Sequence, residues 1–118
     1  MESIGIVRSN TILYCDDWMD TVNFYHDVLD LPVADEKGWF VEFKLSDNAF
    51  LSIADAGRAS ISSAHGKGLT LSFKVPDIDL AHRRLCESGV SVSRIKSVWG
   101  ARVFHLHDPE GNRIELWT

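Results

Sequence analysis

The sequence predicts an α+β fold in which one βαβββ unit occurs twice. Two amphipathic helical stretches are each preceded by one alternating segment and followed by three more, and a stretch rich in Ala, Ser and Gly separates the two sets. An offset of 60 residues aligns Asn10 with Thr70, and an offset of 63 aligns Ser52 with Glu115. The expected boundaries are a first module at about 8–54, a linker at 55–68 and a second module at about 69–118.

The first half begins with an alternating strand at 10–15, after which Asp16 and Asp17 offer an N-cap to a helix over 18–29. The apolar residues of that helix are spaced to form one stripe: Trp18, Val22, Tyr25 and Leu29. Pro32 marks its end. Three strands are expected next, over 32–35, 39–45 and 49–54.

The second half repeats this order. A strand over 69–75 alternates between apolar and polar residues, and Pro76 and Asp77 open a helix to about residue 88. Gly89 ends the helix. Three further strands are expected, over 90–98, 101–107 and 112–117.

The tail of the chain contains a tight turn followed by the last strand. Pro109 favours the turn, and Gly111 supplies a position with positive φ. Beyond it Ile114 and Leu116 lie on one face of the strand and Glu115 on the other. Because a carboxylate is costly to bury without a partner, Glu115 should face a cavity, an ion or solvent.

Composition limits the classes of function. With 118 residues, a net charge of −5 and a pI near 5.4, the chain lacks the basic surface of a nucleic-acid-binding protein. No stretch of 18 apolar residues occurs, so we expect a cytoplasmic protein without a membrane partner. Cys15 and Cys86 lack metal-type spacing, and both are expected to be reduced core thiols.

Assembly is predicted from the size of the modules. Neither module of about 45 to 50 residues could bury its sheet face alone, so the two must pack together or exchange with a second chain. We therefore expect a two-fold symmetric homodimer with composite clefts.

Three segments resemble the vicinal oxygen chelate superfamily, which includes glyoxalase I, extradiol dioxygenases and bleomycin-resistance proteins. They are DWMDTVNFYHDVLDL at 17–31, VPDIDLAHRRLCESG at 75–89 and WGARVFHLHDPEGNRIELW at 99–117. The first departs from the family in having Asp30 where Gly is usual. The resemblance implies paired βαβββ modules forming a curled half-barrel sheet around a cleft, and it does not name a reaction.

In metal-dependent members of that superfamily, the first and fourth strands of each module supply the ligands of a divalent ion. The matching positions here are Asn10, Ser52, Thr70 and Glu115. Only Glu115 is an anionic ligand, which is fewer than a catalytic Zn²⁺ or Fe(II) site uses. Because the chain departs from the family at three of these four positions, we expect no metal and no other cofactor.

Two residues are candidates for chemistry in the cleft. Phe104 and Leu106 should face the helix-packed side, which directs Val103, His105 and His107 towards the cleft or its rim. For His105 a space-filling imidazole and a ligand contact remain alternatives. Glu115 either forms a structural pair with Arg102 or Lys74 across the sheet, or lies on the cleft floor among aromatic residues: Tyr14, Trp39, Trp99 and Trp117.

Three functions stay open. The first is a metal-free protein that binds or sequesters a small, partly aromatic molecule. The second is a metal-free lyase or isomerase in which Glu115, with its pKa raised in a low-dielectric cleft, is the base and His105 the acid. The third is a divalent-metal lyase or dioxygenase with a rebuilt site. For the first, the expected ligand-binding residues are Asn10, Tyr14, Trp39, Ser52, Thr70, Val103, His105, Glu115 and Trp117.

Overall fold

Two four-stranded sheets, each accompanied by one helical segment, form the structure, which is a computed structural model describing residues 2–118. The first compact unit ends at Ala64, and the second runs from His65 to Thr118. Each unit has the order βαβββ, so the predicted fold class is confirmed. Neither α-helix of the described residues is long and apolar enough to cross a bilayer.

The first unit contains four strands and a helix that changes pitch. The α-helix α1 (Trp18–Asn23) continues as a π-helical turn (Phe24–Val28). The strands are β1 (Ser9–Cys15), β2 (Val33–Lys37), β3 (Phe40–Ser46) and β4 (Ala49–Asp55). Their order in the sheet is β1-β4-β3-β2, in which β1 and β4 are parallel and the other pairs antiparallel.

The second unit repeats this topology. Its helix is α2 (Ile78–Glu87), which the Asp77 carboxylate caps by accepting a hydrogen bond from the Leu80 amide. The strands are β5 (Thr70–Lys74), β6 (Lys96–Val98), β7 (Ala101–His107) and β8 (Arg113–Trp117). They are ordered β5-β8-β7-β6, and β5 and β8 form the parallel pair.

One face of each sheet is covered by its own helical segment. In the first unit the Tyr25 ring lies 6.2 Å from the Phe43 ring, and both residues are fully buried. In the second, the His82 ring meets Phe104 edge-on at 4.9 Å. Burying each such aromatic side chain contributes about 1.5–3 kcal/mol to folding, so this face fixes which residues occupy the opposite one.

The first helical segment ends at Val28 with Leu29 as its C-cap, close to the predicted end at residue 29. The Leu29 amide donates to the Phe24 carbonyl five residues earlier, and Asp30 then adopts a φ of +54°. A left-handed residue at this point ends the helix, and Asp tolerates that conformation better than most residues with a side chain. This accounts for a residue other than Gly at position 30.

One expected strand is much shorter than its sequence pattern, and another is shifted by one residue. Only Lys96–Val98 of the segment 90–98 is a strand, because the His105 amide donates to the Ser93 hydroxyl, where a regular ladder would use a carbonyl. Trp39 belongs to the turn before β3 and not to the strand itself. Within 55–68, a single 3-10 turn (Ala56–Arg58) is present.

The turn between β7 and β8 is built around Asp108. One of its carboxylate oxygens accepts hydrogen bonds from the amides of Glu110 and Asn112 at 3.0 and 2.9 Å, and the other accepts from the Asn112 side chain at 2.8 Å. All three residues are buried. Gly111 has a φ of +94°, as the turn pattern predicts. This network holds β7 and β8 in a single register.

Candidate functional site

The polar face of the second sheet, defined here by the residues that point away from α2, carries the strongest chemical cluster. Strand pairing places Ser72 of β5 beside Glu115 of β8, and Glu115 beside His105 of β7. The flanking residues Phe104, Leu106, Ile114 and Leu116 are buried on the opposite face. Glu115 therefore stands at the centre of a row of three polar side chains.

Each oxygen of the Glu115 carboxylate has its own donor. The Ser72 hydroxyl donates to Oε2 at 2.6 Å, and His105 Nε2 donates to Oε1 at 3.2 Å. The side chain retains 30% of its accessible surface. A carboxylate offers about four acceptor positions, so a ligand can still donate to Glu115.

These contacts determine the ionisation of the site. The hydrogen bond from Ser72 is the main cause that lowers the pKa of Glu115, and His105 lowers it further, against an opposing effect of burial. The expectation of a raised pKa was therefore wrong, because the local donors outweigh desolvation. At neutral pH Glu115 is an ionised acceptor.

Two cationic side chains lie on the same face. The Lys74 ammonium lies 5.3 Å from the centre of the Trp117 ring, and Arg113 donates to the Thr70 hydroxyl at 3.0 Å. Val103 is buried next to Trp117 in the strand pairing. Glu115 thus has one cation before it and one after it along the strands.

The structural ion pair considered for Glu115 is absent from the described part of the chain. Arg102 lies on the other face of β7 and forms a two-pronged pair with Asp79 of α2, at 2.7 and 3.0 Å. Lys74 lies over Trp117. Strand alternation separates Arg102 from Glu115, since even-numbered residues of β7 face the helix.

The first sheet has its own polar network. The Ser52 hydroxyl donates to Asn10 Oδ1 at 2.8 Å, and Asn10 Nδ2 donates to Glu42 at 3.3 Å. Glu42 also pairs with Arg8, whose guanidinium stacks on the Phe50 ring at 3.6 Å. The predicted residues Asn10 and Ser52 are therefore brought together, and their polar atoms already have partners.

The aromatic residues expected around Glu115 are dispersed. Trp99 is fully exposed in the turn between β6 and β7, with a φ of +53°. Trp39 lies in a turn of the first unit, and Tyr14 lies on the polar face of the first sheet. Two of the four proposed aromatic residues, Trp99 and Trp117, belong to the second unit. Trp117 lies beside Glu115 on β8, whereas Trp99 does not line this face.

Sequence reasoning missed Ser72 and Glu42. Ser72 is two residues beyond Thr70 on the same strand, and its role depends on the parallel register of β5 and β8, which periodicity does not fix. Glu42 offered a usable signal: it is a carboxylate in the middle of an alternating strand, just as Glu115 is. In the pairing of the first sheet, Ile12, Ser52 and Glu42 form the row that corresponds to Ser72, Glu115 and His105.

The inherited ligand positions do not fit a divalent cation. Asn10 and Ser52 bond to each other, and the Thr70 oxygen accepts from a guanidinium, which places positive charge beside a position that would have to bind a cation. Within residues 65–118, no third His, Cys, Asp or Glu side chain joins His105 and Glu115 in a ligand cluster. The donor set falls short of the three protein ligands of a catalytic site.

Comparison with known proteins gives relatives of similar size. The chain is 30% identical over 122 residues to the uncharacterized protein YraH of Bacillus subtilis (strain 168), an alignment that covers 89% of this chain and 92% of YraH. Among solved structures, lactoylglutathione lyase from Agrobacterium tumefaciens has a TM-score of 0.78 at 23% identity, covering 98% of this chain and 95% of that chain.

A second solved structure is TnmS3, described as an antibiotic binding protein from Streptomyces sp. CB03234. It has a TM-score of 0.78 at 24% identity, covering 98% of this chain and 97% of that chain. At these identities the structures establish the fold. The family model of the Glyoxalase/Bleomycin resistance protein/Dioxygenase superfamily matches residues 7–116. This chain belongs to that superfamily.

Proposed function

We propose that the protein is a metal-free binding protein for a small, partly aromatic molecule, and that the polar face of the second sheet contributes the anchor. The observation that carries the proposal is the ionised Glu115 carboxylate, which is partly exposed and held by two donors beside Trp117. A fixed acceptor next to an aromatic ring is the arrangement that small-molecule sites use to orient a ligand. The expected ligand donates a hydrogen bond to Glu115.

The charges on this face refine the ligand class. Glu115 favours a flat molecule with a cationic or hydrogen-bond-donating group. From the sequence, anions are disfavoured unless Lys74 and Arg102 point to the same face. Arg102 lies on the other face. Lys74 and Arg113 both lie on the face of Glu115, and Arg113 is engaged with Thr70. We therefore propose that a donor group is essential, and that an additional acidic substituent is tolerated next to Lys74.

An acid–base enzyme using Glu115 and His105 is the alternative. Their side chains are in contact at 3.2 Å, which gives a couple within proton-transfer distance. However, the lowered pKa makes Glu115 a weaker base, whereas catalytic carboxylates usually have raised values. Binding without chemistry is the better-supported function for this geometry.

The test is a tryptophan-quenching titration with a matched panel of cationic, neutral and anionic aromatic compounds. Glu115→Gln should weaken binding of the donor-bearing compounds by about 1.5–3 kcal/mol, the scale of a hydrogen bond to a charged group. Glu36→Gln, which removes the same charge from an exposed strand position, is the control and should bind as the wild type does.

Two results would contradict the proposal. If anions without a donor group bind best, Lys74 and not Glu115 is the anchor. If Glu115→Gln leaves affinity unchanged, the carboxylate serves only to join β5, β7 and β8. A melting curve for each variant separates lost binding from lost folding.

A further inference from the structure

Helix α2 carries a thiol and an imidazole one turn apart. It covers the face of the second sheet that is opposite Glu115. Cys86 is exposed, whereas Cys15, the other cysteine of the chain, is fully buried. Cys86 Sγ lies 3.7 Å from His82 Nδ1, within the range of a hydrogen bond to sulfur. The expectation that both cysteines are core thiols was therefore wrong for Cys86, because its position on α2 falls outside the buried stripe of Ile78 and Leu85.

The opposite nitrogen of His82 determines which proton the ring carries. Nε2 lies 3.0 Å from the Ser93 carbonyl oxygen. Because a carbonyl only accepts hydrogen bonds, Nε2 holds the proton in the neutral ring, and Nδ1 presents its lone pair to Cys86. The edge of Phe104 packed against the ring limits its rotation.

From these contacts we propose that Cys86 is a reactive thiol with His82 as its base, and that its substrate class is a low-molecular-weight disulfide. A nucleophile, a base within hydrogen-bond reach and a third group orienting the base are the parts of an activated nucleophile. Here the third group is the Ser93 carbonyl. The site is accessible to small solutes because Cys86 is exposed.

The reaction is a thiol–disulfide exchange. The Cys86 sulfur attacks one sulfur of the disulfide R–S–S–R while its proton passes to His82 Nδ1. The new Cys86–S bond forms as the S–S bond breaks, and the departing thiolate takes the proton from the imidazolium. The products are a mixed disulfide on Cys86 and one molecule of R–SH, so the disulfide is reduced as the protein thiol is oxidised.

The other charges around this pair do not replace His82. Cys86 lies in the last turn of α2, where the helix dipole opposes a negative charge. Asp79, one turn before His82, is engaged by Arg102. Arg83 is exposed one turn before Cys86, and as a solvated charge it would stabilise the thiolate only weakly. The geometry thus makes His82 the source of activation.

The experiment follows the release of thiolate from dithiobis-nitrobenzoate, an aromatic disulfide, by the folded full chain. Wild type should react at one thiol, and at neutral pH it should react faster than free glutathione does. In His82→Gln, the amide can still donate to Ser93 but offers no basic nitrogen. Its rate at neutral pH should fall about tenfold, towards that of an exposed thiol without a base.

Two controls keep the result interpretable. Cys86→Ser should abolish the reaction, and His26→Gln, which alters an exposed histidine of the first unit, should leave it unchanged. Equal rates for wild type and His82→Gln would overturn the proposal. If His82→Gln fails to fold, the wild-type rate decides: a rate at neutral pH no greater than that of free glutathione refutes the proposal.

Discussion

Replacing Asp108 with Ala should destabilise the protein more than any exposed Asp substitution. The carboxylate accepts three hydrogen bonds in a buried turn, two from backbone amides and one from Asn112. Its loss leaves buried donors unsatisfied, each costing about 1–3 kcal/mol, of which entering water recovers a part. We expect Asp108→Ala to lower the free energy of unfolding by about 3–5 kcal/mol.

The matched control is Asp77→Ala, which removes one exposed cap bond to the Leu80 amide and should cost about 1 kcal/mol. Urea unfolding followed by circular dichroism gives both values, and equal m-values would show that the unfolded state is unchanged. If Asp108→Ala costs no more than Asp77→Ala, the turn does not depend on this carboxylate. The reasoning about register would then fail as well.

Three further predictions concern the site and the assembly. Because folding lowers the pKa of Glu115, its ionised carboxylate stabilises the fold fully above the unfolded-state pKa of about 4.3, and this stabilisation is lost as the pH falls through the folded-state pKa. In acid unfolding, the free energy of unfolding of Glu115→Gln should therefore fall less with decreasing pH than that of wild type. Purified protein should contain less than one divalent metal per chain, and a chelator should leave its melting temperature unchanged; one tightly held ion per chain would favour a rebuilt site at Glu115 and His105. Sedimentation at micromolar concentration should give a homodimer, and a monomer would refute the expected assembly.

Much of the fold could be predicted because periodicity and turn residues act locally. The alternation around Glu115 placed it on the face opposite Ile114 and Leu116, and the offset between halves located the repeated βαβββ order. The turn at Gly111 was also correct. Strand alternation and turn residues were sufficient wherever the conformation of a residue depends on residues close to it in the sequence.

The chemistry of the site depended on contacts distant in sequence. Ser72 meets Glu115 across 43 residues, and this hydrogen bond is the largest of the causes that lower the pKa of Glu115, where a raised value was expected. The exposure of Trp99 depends on a left-handed turn that a bulky residue seldom adopts. Neither property follows from composition or spacing, because each depends on the partner that tertiary pairing supplies.

The matching rows of the two sheets have a consequence for engineering. Ile12, Ser52 and Glu42 occupy the same places in the first ladder as Ser72, Glu115 and His105 in the second. The duplicated backbone therefore accepts a carboxylate on either its third or its fourth strand. The three side chains of one row can therefore be introduced by substitution at the matching positions of the other sheet. Such a variant would show what these three side chains do in the absence of the other residues of their own sheet.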